Sequence, residues 1–217
     1  NQGAFGLVIS CYDHKKKEDV AIKCPLKREF NQLLNIEQKV YKKLGGSNDN
    51  VINIKNFIKD SENGNDYLVM EKLGINLYDW IQKHKPNYTE IVLIVNQIFS
   101  GIKFIHNKGI IHTDLKPENI VFVDDKLQKI KIVDLGNGMS LSEVNNHNIL
   151  QTRYFRAPEV ILELRKSKMM DIWSIGCIIC ELVYRRPLFV GNTDSDQIFA
   201  YMEYLGTPPK QIGRAHV

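Results

Sequence analysis

The sequence is sparing with the residues that define several protein classes. Among its 217 residues there are four cysteines, Cys11, Cys24, Cys177 and Cys180. That excludes a disulfide-stapled mini-protein. One C-x-x-C is present, Cys177 to Cys180, but it sits in the apolar run IGCIICELV and no second pair completes a zinc site. All four are read as reduced, mostly packed thiols in a cytoplasmic or nuclear protein. No apolar run approaches the roughly 18–20 residues of a membrane span, and no signal-peptide pattern is present, so no membrane partner is expected. Neither sign of charge dominates: 29 Lys and Arg stand against 25 Asp and Glu. A nucleic-acid binder would show a clustered basic stripe, so direct nucleic-acid contact is not expected. The run Lys15-Lys16-Lys17 is answered by Glu18 and Asp19 and reads as a solvated turn. There is no internal repeat and no low-complexity linker.

A hydrophobic share of 43% over this length is enough for a sizeable core, in one large domain or two small ones. The pattern changes character once. Up to about Met70 it reads mainly as strands with one helix; after about Leu77 it reads mainly as helices. LVISCY, the turn DHKKKED and VAIKC form a β-hairpin. REFNQLLNIEQKVYKKL is a helix stopped by Gly45-Gly46. NVINIKNFI and DYLVMEKL are two more strands. TEIVLIVNQIFSGIKFIHNKG has helical periodicity, with Thr89 as its N-cap. NIVFV and KIKIVD make a second hairpin. MMDIWSIGCIICELVY is apolar nearly all round, the pattern of a helix buried on every side. A small β-rich lobe joined to a larger helical lobe leaves a cleft, the usual place for a ligand.

Several residues bear chemistry. Gly3 and Gly6 precede the first strand, where glycines let backbone N–H groups approach phosphates; alone, two glycines there are more often a turn. Lys23 lies in the short apolar strand VAIKC and needs a partner, unless it snorkels from an edge. Glu37 falls on the apolar face of the following helix, with Leu34 and Val40, and a carboxylate there is costly unless paired. Lys23 is the candidate partner; a surface-facing Glu37 on a slightly rotated helix is the alternative. The string His112-Thr113-Asp114-Leu115-Lys116-Pro117-Glu118-Asn119 comes after a helix and precedes a hairpin whose second strand ends at Asp134-Leu135-Gly136. Asn119 and Asp134 stand at the open end of that hairpin. Two hard oxygen donors plus phosphate oxygens suit Mg²⁺. Asp114 is placed to accept a proton from a hydroxyl, and Lys116 to neutralise a phosphoryl group. A turn rich in Asp, Pro and Asn is commonly only a turn; the ordered set is more specific than any member.

These residues resemble the eukaryotic protein kinase family from Asn1 to about Gln211. The resemblance implies an α+β, bilobal protein-kinase-like fold, with a small β-rich N-lobe and a larger α-helical C-lobe. It implies boundaries too: N-lobe 1–70, hinge 71–76, and C-lobe 77–211 lacking its last helices, so that the domain is truncated at both ends. By the same resemblance Gly3 and Gly6 cover ATP, Lys23 and Glu37 are the phosphate lysine and its helix partner, and Asp114 is the catalytic base. Lys116 contacts phosphate, Asn119 and Asp134 hold the metal, and Thr152 bridges to the catalytic loop. Asp171 braces that loop. Met70 is the gatekeeper, and Glu71 and Leu73 offer hinge backbone groups to adenine. Val8, Ala21 and Val121 are the apolar residues of the nucleotide site.

Lys116 resembles serine/threonine kinases. Arg156 before Ala157-Pro158-Glu159, and LGTPP, resemble the group of cyclin-dependent, MAP, dual-specificity tyrosine-regulated and CDC-like kinases. NLYDW, FRAPEVIL and DQIFAYMEYLGTP resemble the dual-specificity branch and its homeodomain-interacting relatives, while HTDLKPEN and DLGN have CDC-like and SR-protein kinase features. The resemblance implies an ATP- and Mg²⁺-dependent serine/threonine kinase, monomeric by family default, acting on proteins that include splicing or nuclear regulatory ones. A pseudokinase scaffold is the alternative, set against the presence of Lys23, Asp114, Asn119 and Asp134. Four departures stand out. Asn1 occupies the first glycine position. Thr113 replaces the arginine that reads an activation-loop phosphate. Ile149 stands where the branch carries a self-phosphorylated tyrosine. Leu135 replaces the usual Phe. Residues 212–217 read as a non-native tail.

Overall fold

Two short apolar, β-branched-rich runs flank a charged turn in the first hairpin, and the computed structural model, which describes residues 6–62 and 64–207, pairs them as strands. β1 (Gly6–Asp13) and β2 (Glu18–Pro25) run antiparallel about the charged turn. Asp13 Oδ1 accepts the backbone N–H groups of Lys15 and Lys16 at 2.9 and 3.1 Å, which closes the turn and leaves the three lysines in solvent. A Cβ on Gly6 would stand 2.9 Å from the Cys24 carbonyl oxygen, so only glycine lets β1 begin this close to β2. β3 (Ile54–Lys59) and β4 (Asp66–Glu71) complete a four-stranded antiparallel sheet in the order β1-β2-β4-β3. The helix predicted over 28–44 is a short 3₁₀ turn followed by α1 (Asn31–Leu44), which ends at Gly45 with φ 48°. Its buried residues are Leu34, Glu37 and Leu44.

The rest of the chain is mostly helical: α2 (Leu77–Lys83), α3 (Tyr88–Asn107), α4 (Leu141–Val144), α5 (Pro158–Ile161), α6 (Met169–Tyr184) and α7 (Asp194–Leu205). Between α3 and α4 lies the two-stranded hairpin of β5 (Ile120–Phe122) and β6 (Ile130–Ile132). Ile94, Ile98, Ile102 and Ile105 of α3 share one core with Ile175, Ile178 and Leu182 of α6 and with Ile120, Phe122, Ile130 and Ile132 of the hairpin. This is the α+β, two-lobed arrangement that the change in sequence pattern predicts.

The segment before β3 joins the lobes. Ile132 N–H donates to the Asn50 carbonyl (2.9 Å), and Ile52 N–H donates to the Ile132 carbonyl (3.0 Å). The Asn50 side chain donates to Gln97 Oε1 and to the Ile130 carbonyl, both at 3.1 Å. A Cβ on Gly101 of α3 would lie 2.7 Å from the Asn50 carbonyl oxygen, so this glycine admits the loop against the helix.

Four sequence readings need correction. The N-cap of α3 is Asn87, not Thr89: Asn87 accepts from Glu90 N–H while the Glu90 carboxylate accepts from Asn87 N–H. That reciprocal box needs an acid three residues on, and the residue three after Thr89 is Val92. α3 is also long and apolar enough, by length and composition, to cross a membrane, although its isoleucine face is packed into the core. α6 is not buried on every side. Met169, Gly176 and Val183, spaced by seven, are exposed among the described residues. Of the cysteines only Cys177 is buried; the other three are partly exposed.

α6 also buries Glu181, 1% exposed, with Oε2 lacking a hydrogen-bond partner among the described residues. Burial, then the nearby Glu118 carboxylate, raises its pKa from 4.5 to about 7. Between those values the native state holds a proton that the unfolded chain has released. This contribution to stability is therefore complete below pH 4.5 and is lost as pH rises to about 7. The melting temperature of the full-length protein should fall between pH 5 and 7.5, and Glu181→Gln should flatten that fall. Equal pH slopes for the two proteins would contradict this.

Candidate active site

Strand register places the first cluster. β2 alternation puts Ala21 and Lys23 on one face; their partners in β4 are Met70 and Leu68, and Val8 of β1 lies opposite Lys23. Ala21, Leu68 and Met70 pack with Leu34 of α1 and, at the edge, Tyr41 and Leu73. Lys23 Nζ donates to Glu37 Oε2 at 2.8 Å and to Asp134 Oδ1 at 2.9 Å. Glu37 is only 3% exposed, which rules out the surface-facing alternative, and Lys23 does not snorkel. Burial pushes the Lys23 pKa down, but Glu37 and Asp134 outweigh it and raise it above its ordinary value, so the ammonium persists. Burial pushes Glu37 upward against the pull of Lys23. It pushes Asp134 up as well, but there the Lys23 cation prevails and holds the carboxyl below its usual range.

The second cluster is the loop 112–119. Asp171, in the first turn of α6, accepts the backbone N–H groups of His112 (2.8 Å) and Thr113 (3.0 Å) and shares a hydrogen bond with His106 Nε2 (2.7 Å). Thr113 adopts φ 66°, a strained angle for a β-branched residue, and its hydroxyl donates to the Asn137 carbonyl at 2.7 Å. Asp114 Oδ1 accepts from the Thr152 N–H (3.0 Å) and hydroxyl (2.7 Å); Oδ2 accepts from Lys116 Nζ (2.9 Å). Lys116 also donates to the Thr152 hydroxyl at 3.0 Å. Asn119 donates through Nδ2 to the Asp114 carbonyl (2.9 Å), and its own backbone carbonyl accepts from Val133 N–H (3.0 Å). Asn119 and Asp134 thus stand at one end of the β5–β6 hairpin.

Their donor atoms suit a hard cation. Asp134 commits Oδ1 to Lys23, and Asn119 commits Nδ2 to Asp114, so each keeps one side-chain oxygen for a ligand. Among the described residues no three His, Cys, Asp or Glu side chains form a metal cage. Two protein oxygens fit an ion that takes its other ligands from phosphates and water.

The link between lobes is stapled to β5: Gly74 N–H donates to the Phe122 carbonyl (2.8 Å), and Phe122 N–H to the Ile75 carbonyl (2.9 Å). The Glu71 carboxylate accepts from Asn53 N–H and Lys131 Nζ, both at 2.6 Å, which turns its side chain toward the loop before β3 and toward β6. Val121 pairs with Lys131 and bridges to Asn76, beside this link. Gly3, Asn1 and residues 212–217 lie outside the described residues.

Sequence reasoning misses several contributors. His106 has a signal: a polar residue four after Ile102, near the buried stripe of α3. Gln151 has none. Its side chain donates to the Met170 carbonyl (2.9 Å) and Ser174 Oγ (2.8 Å) and accepts from Ala157 N–H (2.8 Å). Arg156 donates to the Leu150 and Gln151 carbonyls and pairs with Asp194 at 2.6 Å. Ser174 Oγ donates to the Phe155 carbonyl (2.8 Å). Residues 150–157 are thereby stitched onto α6, while Ile149 is 82% exposed.

Comparison with known proteins matches residues 2–211 to the family described as "Protein kinase domain". The chain is 36% identical to the serine/threonine-protein kinase ppk5 of Schizosaccharomyces pombe, over 98% of this chain and 26% of that protein. It is 36% identical to the dual specificity tyrosine-phosphorylation-regulated kinase 2 of Drosophila melanogaster, over 97% of this chain and 30% of the relative. To the homeodomain-interacting protein kinase 1 of Caenorhabditis elegans it is 34% identical, over 97% and 26%. The chain therefore spans less than a third of the length of these curated relatives.

The two kinds of ion pair should separate in a mutational test. Removing one partner of a buried pair costs about 3–5 kcal/mol, while an exposed pair contributes about 0–1 kcal/mol. Lys23 keeps Asp134 when Glu37 is neutralised, so Glu37→Gln should cost about 1–3 kcal/mol in urea unfolding. Lys72→Ala, which removes the exposed pair with Asp19, should change stability by less than about 0.5 kcal/mol. Equal effects would contradict this ranking.

Proposed function

The chain belongs to the protein kinase domain family, and on that premise we propose that the protein transfers the γ-phosphoryl of ATP, as its Mg²⁺ complex, to serine and threonine hydroxyls of proteins. The observation that carries this reading is the simultaneous closure of both clusters. Lys23 is held on Glu37 and Asp134, and Asp114, Lys116 and Thr152 form a hydrogen-bonded triangle. A scaffold without chemistry needs neither.

When bound, Mg-ATP supplies the electrophilic phosphorus and a cation that offsets its charge. The side chains of this chain do the rest. Val8, Ala21, Met70 and Val121 give adenine an apolar slot, and residues 71–73 offer it backbone groups. Glu37 keeps the Lys23 ammonium in place to meet the phosphates. Asn119 and Asp134 present two oxygens to the metal. Thr152 fixes Asp114 Oδ1 with two donors. Oδ2, whose bond is to the end of the long Lys116 side chain, is therefore the atom that takes the hydroxyl proton. Lys116 then faces the charge of the transferring group.

Activity without a phosphate on the segment before Ala157 belongs to the same proposal. Thr113 supplies a neutral hydroxyl where an arginine would read such a phosphate, and Gln151, Ser174 and Arg156 hold the segment with groups already in the chain. Nuclear regulatory proteins are among the substrates we infer, in line with the homeodomain-interacting relative, and a cytoplasmic or nuclear location goes with them.

The test is phosphate transfer from Mg-ATP to a serine/threonine peptide library by the full-length protein. Transfer should be present and should fall by at least about 10²-fold in Asp114→Asn. A folded, ATP-binding protein that transfers nothing would overturn the proposal.

A further inference from the structure

Tyr41 lies one helical turn after Glu37 on α1, so both side chains leave the helix on one face. Packing there asks only for an apolar residue: the ring sits against the cluster of Leu34, Ile52, Leu68 and Met70. The hydroxyl does something more. It accepts the backbone N–H of Leu135 at 3.4 Å. Burial, and then the Glu37 and Asp134 carboxylates beside it, keep the phenol neutral.

The Leu135 amide matters because of what precedes it. Asp134 has φ 61° and ψ 68°, a left-handed conformation that a non-glycine residue keeps only when its surroundings over-determine it. Leu135 itself is fully buried, and a buried N–H without an acceptor is costly. α1 thus grips Asp134 twice. Glu37 acts through Lys23 on the carboxylate, and Tyr41 acts directly on the next peptide unit.

We propose that Tyr41 is a positioning residue whose hydroxyl fixes the left-handed turn at Asp134 and so aims that carboxylate at the metal side of the cleft. The proposal rests on the kinase reading above. It sets a division of labour on one helix: Glu37 places the cation that meets phosphate, and Tyr41 places the anion that meets metal. A phenylalanine would keep every ring contact and lose only this second function.

The experiment is isothermal titration of the full-length protein and its Tyr41→Phe variant with ATP, with and without Mg²⁺. In the wild type Mg²⁺ should tighten ATP binding. In the variant the metal-free Kd should stay within about twofold, while the Mg-ATP Kd weakens roughly 3- to 10-fold, the scale of one neutral hydrogen bond. The melting temperature should move by only a few degrees, because the ring remains. Unchanged binding in both conditions, or equal weakening in both, would overturn the role of Tyr41 and leave the kinase reading standing. A wild type whose ATP binding ignores Mg²⁺ would overturn the kinase reading and this role with it.

Discussion

The Lys23 ammonium stands between two carboxylates that reach it from different parts of the molecule. Glu37 comes from α1, and Asp134 comes from the end of β6, 111 residues beyond the lysine. Glu37 is buried and Lys23 largely so, while the Asp134 side chain stays half-exposed; taking the first two charges out of water costs several kcal/mol per ion unless each is met by partners of the right sign and geometry. The strand must therefore present Lys23 on the face that α1 covers. The helix must be rotated so that Glu37 points inward. The Asp134 turn must close in a left-handed conformation. The sheet, the helix and the hairpin end are each constrained by this contact.

Much of this is legible in the sequence, for reasons that differ from residue to residue. Glu37 can be placed because helical periodicity puts it between Leu34 and Val40, and an acid on a buried stripe demands a cation. Lys23 can be placed because β2 is short, apolar and flanked by a clear turn. The opening at the end of the β5–β6 hairpin comes from two short apolar runs and their polar connection. The resemblance to kinases supplies Thr152 and Asp171, which no local pattern marks: they are at least 36 and 58 residues from the groups of loop 112–119 that they bind.

The hidden part depends on contacts that periodicity does not carry. Thr89 looks like the cap of α3 because it opens the apolar run, whereas the reciprocal bonding of Asn87 and Glu90 sets the true start two residues earlier. α6 reads as uniformly apolar, and the sequence has no means of saying that Met169, Gly176 and Val183 are left uncovered among the described residues. Gln151, with φ 63°, looks like any polar loop residue until its three side-chain bonds to α6 and to Ala157 are seen. Tyr41 looks like one more core aromatic, and its hydroxyl acquires meaning only when the Leu135 amide arrives from the other lobe.

The residues around Gln151 give the account its sharpest physical content. A segment ordered by a phosphate relies on a cation waiting for it. On the proposed reading Thr113, bonded to the Asn137 carbonyl, stands where such a cation would be, and Arg156 within the segment is already engaged by backbone carbonyls and Asp194. The decisive measurement is the rate of phosphate transfer by the purified full-length protein before and after exhaustive phosphatase treatment, with complete dephosphorylation verified by mass spectrometry. The account predicts that most of the rate survives. A loss of most of the turnover, restored when phosphate returns to residues 138–155, would contradict it.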